Sequence, residues 1–150
     1  MTTFIGADVS QTYAALDEGK TPKVGDVFDG NDGKSYKFVL FSQGAVAAVA
    51  GNVTGYVSES STAVTSDVSA TDNIGAGVLM SAPADGEYCW IQIRGVATIN
   101  TALTAGADGN ALTLVGAGDG TLDVSGAVTD AVCAYAIDAS ARIIFCAFPR

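Results

Sequence analysis

Short stretches of alternating apolar and polar residues, separated by polar or glycine-rich turns every ~8–12 residues, run along most of the chain. Side chains of a strand point alternately to its two faces, so this period of two predicts half-buried strands rather than helices. The predicted strands comprise residues 23–28, 34–41, 52–58, 62–68, 75–81, 87–99, 111–115 and 121–125, followed by a C-terminal hairpin. The pattern predicts an all-β fold, a single antiparallel β-sandwich or barrel domain over residues 23–150.

Residues 1–22 lack this strand pattern and are predicted to form an N-terminal arm. Within the arm, Ser10 is placed to cap a helix of two turns and Gly19 is placed to end it. So short a helix is marginal without packing, and an extended arm is therefore an equal alternative.

The composition indicates one domain with a surface poor in charge. At 150 residues the chain is long enough to bury a real core. Its hydrophobic content of 49% excludes disorder, while its charged content of 15% lies well below the usual quarter or so of a soluble domain. Such a surface indicates that other subunits cover part of it.

The net charge of −9 argues against nucleic acid as a partner. Phosphate binding needs a basic patch, but the N-terminal lysines are interleaved with acidic residues. These lysines are Lys20, Lys23, Lys34 and Lys37. The start of the chain lacks a secretory pattern, and no apolar run reaches about 18 residues. The sequence therefore predicts no membrane partner and a cytoplasmic origin.

The C-terminal segment predicts a hairpin with its turn at residues 138–141. That turn places Ile137 opposite Arg142 and, by counting back, Cys133 opposite Cys146. A disulfide between the two cysteines is geometrically conceivable. Two packed thiols are favoured, because a cytoplasmic environment is reducing.

No pattern in the chain predicts catalytic residues, a cofactor site or a metal site. The absence of histidine removes the usual general base, the commonest zinc ligand and the standard nucleophile triads. Cys89, between two aromatic residues on an apolar strand, is predicted to be core. The motif GAGDG at 116–120 lacks the ending of a phosphate loop, and DGNDG at 29–33 lacks the closing glutamate of a calcium loop. Both are predicted to be turns.

The strand at 87–99 carries large side chains on both faces. One face is apolar, and the other carries Tyr88, Trp90, Gln92 and Arg94. Large amphipathic side chains with polar groups are typical of interface hot spots, so these four residues are the candidate subunit interface. The alternative is that both faces of the strand are buried, with Trp90 under a loop and Gln92 and Arg94 at its rim.

Three stretches of the chain resemble the decoration (cement) proteins of tailed-bacteriophage heads. They are KVGDVFDGNDGKSYKFVLFSQG, then NIGAGVLMSAPADGEYCWIQIRGVATI, and the closing IIFCAFPR. The resembling features are the glycine-turn hairpin, the entry at 75–78, the strand with the tryptophan and the final apolar strand. Together they cover roughly half of the chain and form a pattern of strands rather than a catalytic signature.

The resemblance implies a β-tulip-like structural protein that binds the outside of the expanded capsid, commonly as a homotrimer at local three-fold positions. It would clamp neighbouring major capsid protein subunits. Its expected location is the virion exterior, after synthesis in the host bacterial cytoplasm. In such proteins an N-terminal arm often becomes ordered on the capsid, and this role falls here to Thr2, Thr3, Phe4 and Ile5. Phe4 and Ile5 would be the anchors, and residues 8–22 do not match the family pattern.

Two other classes of function stay open at the level of sequence. A phage tail or fibre module, or a carbohydrate-binding module, would have a measurable affinity for sugar or a cell surface and no association with heads. An enzyme without histidine would need a pair of carboxylates in a cleft, and no such constellation emerges, so a non-enzymatic role is predicted.

Overall fold

The computed structural model describes residues 8–30 and 32–150, and these residues contain ten strands. They are β1 (Val27–Asp29), β2 (Ser35–Phe41), β3 (Val53–Val57), β4 (Ala63–Thr65), β5 (Thr71–Leu79), β6 (Tyr88–Thr98), β7 (Ala111–Thr113), β8 (Asp123–Val124), β9 (Val132–Asp138) and β10 (Ile143–Ala147). One turn of 3-10 helix, Val68–Ala70, directly precedes β5. The all-β prediction is confirmed, and the observed strands overlap the predicted ones.

Five of the strands close into a barrel in the order β2-β4-β3-β5-β6, with β6 pairing back onto β2. Of the two predicted architectures, the sandwich and the barrel, the structure therefore has the barrel. All pairs around the barrel are antiparallel except β2 with β4, which run parallel. Closure leaves the five strands without a free sheet edge over the paired residues, which protects them from pairing with other chains.

Strand β6 belongs both to the barrel and to a sheet outside it. Its residues 88–94 pair with β2, and its residues 94–98 pair with β10. Arg94 is the changeover position, since it is opposite both Ser35 and Ala147. From β10 the outer sheet continues through β9 and β7 to β8.

The backbone of β5 approaches β6 closely because Gly77 has no side chain there. A Cβ added at Gly77 would lie 2.7 Å from the carbonyl oxygen of Gln92 and 3.0 Å from Cδ1 of Ile91. Backbone atoms cannot move away cheaply, so this position requires glycine for the barrel to close.

The main core is continuous from the barrel interior to the inner face of the outer sheet. It is built from every strand except β1 and β8, with fully buried residues such as Phe41, Ile91 and Ile144. The burial of its many aliphatic side chains is the chief stabilising term of the fold, at roughly 25 cal/mol per Å² of apolar surface. The buried Lys37 lies inside this barrel; its ammonium donates to the Tyr56 hydroxyl at 2.7 Å and to the Ser61 carbonyl at 3.0 Å.

The described part of the N-terminal arm docks on the barrel through turns, bends and one β-bridge, and residues 10–19 form no helix. Tyr13 makes an antiparallel bridge with Tyr88, the first residue of β6. The Tyr13 N–H donates to the Tyr88 carbonyl at 2.9 Å, and the Tyr88 N–H donates back at 2.8 Å. The helical form of the arm is therefore wrong over these residues, and the backbone pairs as an extended strand at the Tyr13 bridge.

The C-terminal hairpin forms as predicted, but its predicted register is wrong by one residue. Ile143 pairs with Asp138, whereas Ile144 pairs with Ala136, so Ile137 is the extra residue of a β-bulge. The turn lies at residues 139–142, one residue later than predicted, and this moves the pairing by two positions. The bulge takes back one of them, so Cys146 is opposite Ala134 instead of Cys133. All three cysteines of the chain are free and buried.

Candidate functional site

The predicted interface residues Tyr88, Trp90, Gln92 and Arg94 all lie on β6, where they divide between interior and surface. Trp90 and Gln92 are buried, at 1% and 2% exposure. Tyr88 is half-buried, and Arg94 is exposed. The predicted arm residues Thr2, Thr3, Phe4 and Ile5 lie outside the described residues.

Trp90 belongs to a second, aromatic core on the face of β6 that is turned away from the barrel interior. Its buried members are Trp90, Tyr36 and Phe38. The ring of Phe38 makes an edge contact with that of Trp90, with centroids 5.2 Å apart. Phe28 of β1 approaches Trp90 at 6.4 Å, and Tyr13 of the arm meets Phe38 at 5.7 Å. The large aromatic side chain thus lies under the arm and β1, as the alternative of two buried faces describes.

Gln92 stabilises a bend in β6. Its amide Nε2 donates to the carbonyls of Arg94 and Val96 at 3.1 and 3.0 Å. Between them lies Gly95, whose φ of +96° is a conformation that other residues rarely adopt. A Cβ at Gly95 would also lie 3.1 Å from the carbonyl oxygen of Gly33. The buried amide therefore holds the segment in which β6 changes partner from β2 to β10.

Two of the four candidate interface residues consequently have no accessible surface for a partner. Trp90 and Gln92 are covered by residues of their own chain, because both faces of β6 are packed over residues 89–93. Gln92 is thus buried and does not lie at the rim, where the alternative placed it. Arg94 and Tyr88 keep accessible surface. A role in subunit contacts stays a prediction for these two residues.

An exposed apolar surface that the sequence analysis does not identify lies on the outer sheet. Val96, Phe145 and Tyr135 are directly opposite one another on β6, β10 and β9. Each is nearly half exposed, at 44%, 44% and 47%. Val132 and Ile137 of β9 are exposed to a similar extent. We call these five residues the outer apolar face.

The sequence signal for the outer apolar face is an unusual strand pattern in the C-terminal hairpin. Strands with one wet face alternate between apolar and polar residues. Here both alternating sets of β10 are apolar: Ile144 and Cys146 point inward, while Ile143 and Phe145 point outward. A strand that is apolar on both faces indicates that both faces are to be covered.

The three cysteine thiols are buried and held in their neutral form. Burial raises the pKa of each of the three cysteine thiols to about 12, which keeps them neutral at physiological pH. Across the described ranges, no three histidine, cysteine or acidic side chains are grouped so that they could hold a metal ion.

A shallow depression of about 780 Å³ lies between loop 102–108 and Ala139–Ser140. Its one titratable side chain, Asp108, accepts a hydrogen bond from the Ala139 N–H at 2.8 Å. This carboxylate therefore joins two loops of the fold. The depression offers no pair of carboxylates or other acid–base partner of the kind that a catalytic cleft needs.

Within residues 8–30 and 32–150 there is no helix of the length and hydrophobicity needed to cross a membrane. Comparison of the chain with protein-family models, with curated proteins and with solved structures found no match.

Proposed function

We propose that this protein is a structural virion protein that binds the outer surface of the expanded phage capsid. It stabilises the capsid by bridging neighbouring major capsid protein subunits, and it acts as a homotrimer. The proposal builds on the resemblance of its strand pattern to head decoration proteins.

The observation that carries the proposal is the attachment of the N-terminal arm to β6. Two backbone hydrogen bonds join Tyr13 to Tyr88, and the Tyr13 ring packs on Phe38 of the aromatic core. The capsid-binding residues proposed from the sequence, Thr2 to Ile5, precede this anchor by fewer than a dozen residues. A contact made by the arm is therefore coupled to the longest strand of the barrel.

The mechanism that follows is energetic rather than chemical. Each arm contact is modest, but several arms on one oligomer raise avidity without new contacts. A protein that binds the expanded shell and not its precursor stabilises the expanded state by its differential affinity. Repetition over the capsid lattice multiplies that effect.

The test is sedimentation of the purified protein with expanded, undecorated heads, with unexpanded shells as the control. Saturable binding to expanded heads alone is expected. A variant that lacks Met1–Ile5 is expected to lose this binding while its far-ultraviolet circular dichroism is unchanged. Full decoration by the truncated protein would refute the role of the arm, and binding to neither shell would refute the proposed function.

A matched pair of double variants tests whether Phe4 and Ile5 contribute more to head binding than Thr2 and Thr3 do. Replacement of Phe4 and Ile5 by alanine removes apolar surface and is expected to weaken head binding. Replacement of Thr2 and Thr3 by alanine removes little apolar surface and is expected to weaken it less. The opposite order would show that the anchors are misassigned.

The second candidate function is a carbohydrate-binding module of a tail or fibre, and one observation favours it. The rings of Tyr135 and Phe145 are adjacent and half-exposed on a sheet, an arrangement on which a sugar ring can stack. This function predicts binding to a glycan array that is lost when Tyr135 is replaced by alanine, with no association with heads.

A further inference from the structure

The outer apolar face is nearly free of charge on a chain that is strongly acidic. The outward positions of β6, β10 and β9 follow from the pattern of burial along these strands. They are Arg94, Val96, Thr98, Ile143, Phe145, Ala147, Val132, Tyr135 and Ile137. Arg94 is the charged side chain among them, whereas the chain as a whole has a net charge of −9.

The exposed apolar area of this face is of the size that marks a binding surface. Its five large side chains are each 40–47% exposed. Because an aromatic side chain can bury about 150–250 Å² and an aliphatic one somewhat less, together they expose on the order of 400 Å². A standard interface buries about 800 Å² per partner, with an apolar centre and a polar rim. The outer apolar face can supply that centre.

We infer that a further copy of this chain packs its own outer apolar face against this one. Charge selects this occupant. Two chains of net charge −9 repel one another over most of their surfaces, and this face is where the repulsion is least. A strongly basic partner would be attracted more strongly to the acidic surfaces elsewhere on the chain than to this face. A strongly acidic partner would be repelled by the whole chain.

The geometry also suits self-association. Sheets pack face to face about 10 Å apart when their inner residues interdigitate, and the central row of Val96, Phe145 and Tyr135 offers such residues across three strands. Phe145, in the middle of this row, is the residue on which the contact is centred. A face that packs on its own copy forms a two-fold contact, whereas a trimer needs two different surfaces at each interface. The inference therefore goes beyond the proposed homotrimer, since it states which surface joins two copies in a pair.

The experiment is sedimentation velocity with light scattering on the full chain and on charge-insertion variants. The wild-type protein is expected to be an oligomer. Phe145→Lys and Tyr135→Lys are each expected to weaken the association about tenfold or more, as the loss of a hot spot does. The matched control is Leu16→Lys, because Leu16 is 46% exposed but lies in the arm, close to Tyr13 and the opposite end of β6.

Three results would overturn the inference, two of them through the wild-type protein and the face variants and one through the control. A monomeric wild-type protein, or Phe145→Lys and Tyr135→Lys variants that associate as well as wild type, would overturn the inference. Equal dissociation by Leu16→Lys would overturn it too, since the effect would not be specific to the face. Circular dichroism and the fluorescence of the buried Trp90 verify that each variant is folded.

Head sedimentation separates this inference from the proposed function. A wild-type protein that binds expanded heads as a monomer contradicts the interface and leaves the capsid role standing. An oligomer that Phe145→Lys dissociates, but that does not bind heads, supports the interface and contradicts the capsid role.

Discussion

Replacement of Trp90 by alanine is expected to destabilise the whole fold rather than an interface. Trp90 is 1% exposed and is packed by Phe38 and Phe28, at centroid distances of 5.2 and 6.4 Å. Truncation of a buried tryptophan to alanine costs about 3–5 kcal/mol, because the lost burial and the cavity both contribute. A domain has only about 5–15 kcal/mol of stability in total, so this loss is a large share.

The assay is urea unfolding followed by circular dichroism, which does not depend on the tryptophan that is removed. With a slope of about 1–3 kcal/mol per molar urea, the unfolding midpoint is expected to fall by about 2 M. At about 2–4 °C per kcal/mol for a chain of this size, the melting temperature is expected to fall by about 10 °C. Because Trp90 packs under the arm, proteolysis within residues 8–22 is expected to become faster as well.

The matched control is Leu16→Ala, a truncation of an apolar side chain in the arm, away from the outer apolar face. Leu16 is 46% exposed, so its loss is expected to cost about half as much unfolding free energy or less. The reasoning is refuted if Trp90→Ala unfolds within about 1 kcal/mol of wild type while its oligomer dissociates, since surface interface residues behave in that way.

Three further predictions concern a close approach, the arm and the thiols. Gly77→Ala is expected to lower the free energy of unfolding by about 1–3 kcal/mol through overpacking, whereas Gly126→Ala, with nothing within 4 Å of the added carbon, leaves it nearly unchanged, as urea unfolding would show. Tyr13→Pro removes the N–H donated to Tyr88 and is expected to expose the arm to limited proteolysis more than Tyr13→Ala does, which keeps that bond. For the three buried thiols, the pKa is about 12 in the fold and near 9 when unfolded, so the unfolded chain loses its protons first. The contribution of the thiols to the free energy of unfolding is therefore intact below about pH 9 and declines as the pH rises towards 12. In a variant with all three cysteines replaced by alanine, the urea midpoint should decline less steeply over this pH range.

Local pattern was sufficient to predict the strands, because their alternation is a property of neighbouring residues. It also allowed both interpretations of Trp90, and the burial of residues 89–93 of β6 on both faces decides between them. The closure of the barrel by a parallel pair of β2 and β4 depends on residues far apart in sequence, which no local pattern encodes. The hairpin register was wrong because the turn lies at residues 139–142 rather than 138–141, and a bulge at Ile137 takes back one of the two positions of that shift; neither leaves a distinct signature among apolar neighbours.

The candidate surface was harder to predict than the fold. A tryptophan in line with glutamine and arginine has the composition of an interface, but the partners that bury it, Tyr13 and Phe28, lie more than sixty residues earlier in the chain. Conversely, Phe145 and Val96 look like core residues by type and face outward, because the outer sheet has packed neighbours on one side only. Residue type indicated which side chains could be buried, whereas the topology determined which of them are buried.

The division of β6 between two sets of partners has a consequence for synthesis on the ribosome. The strands that pair with residues 88–94 precede them in the chain, so the barrel can close soon after β6 emerges. The partner of residues 94–98 is β10, which begins about 45 residues later. At about 5–20 residues per second, that half of β6 waits several seconds with an open edge, and such an edge favours pairing between nascent chains. Slower synthesis of residues 100–131, which include β7 and β8, would lengthen this interval and lower the yield of folded protein without any change in the sequence.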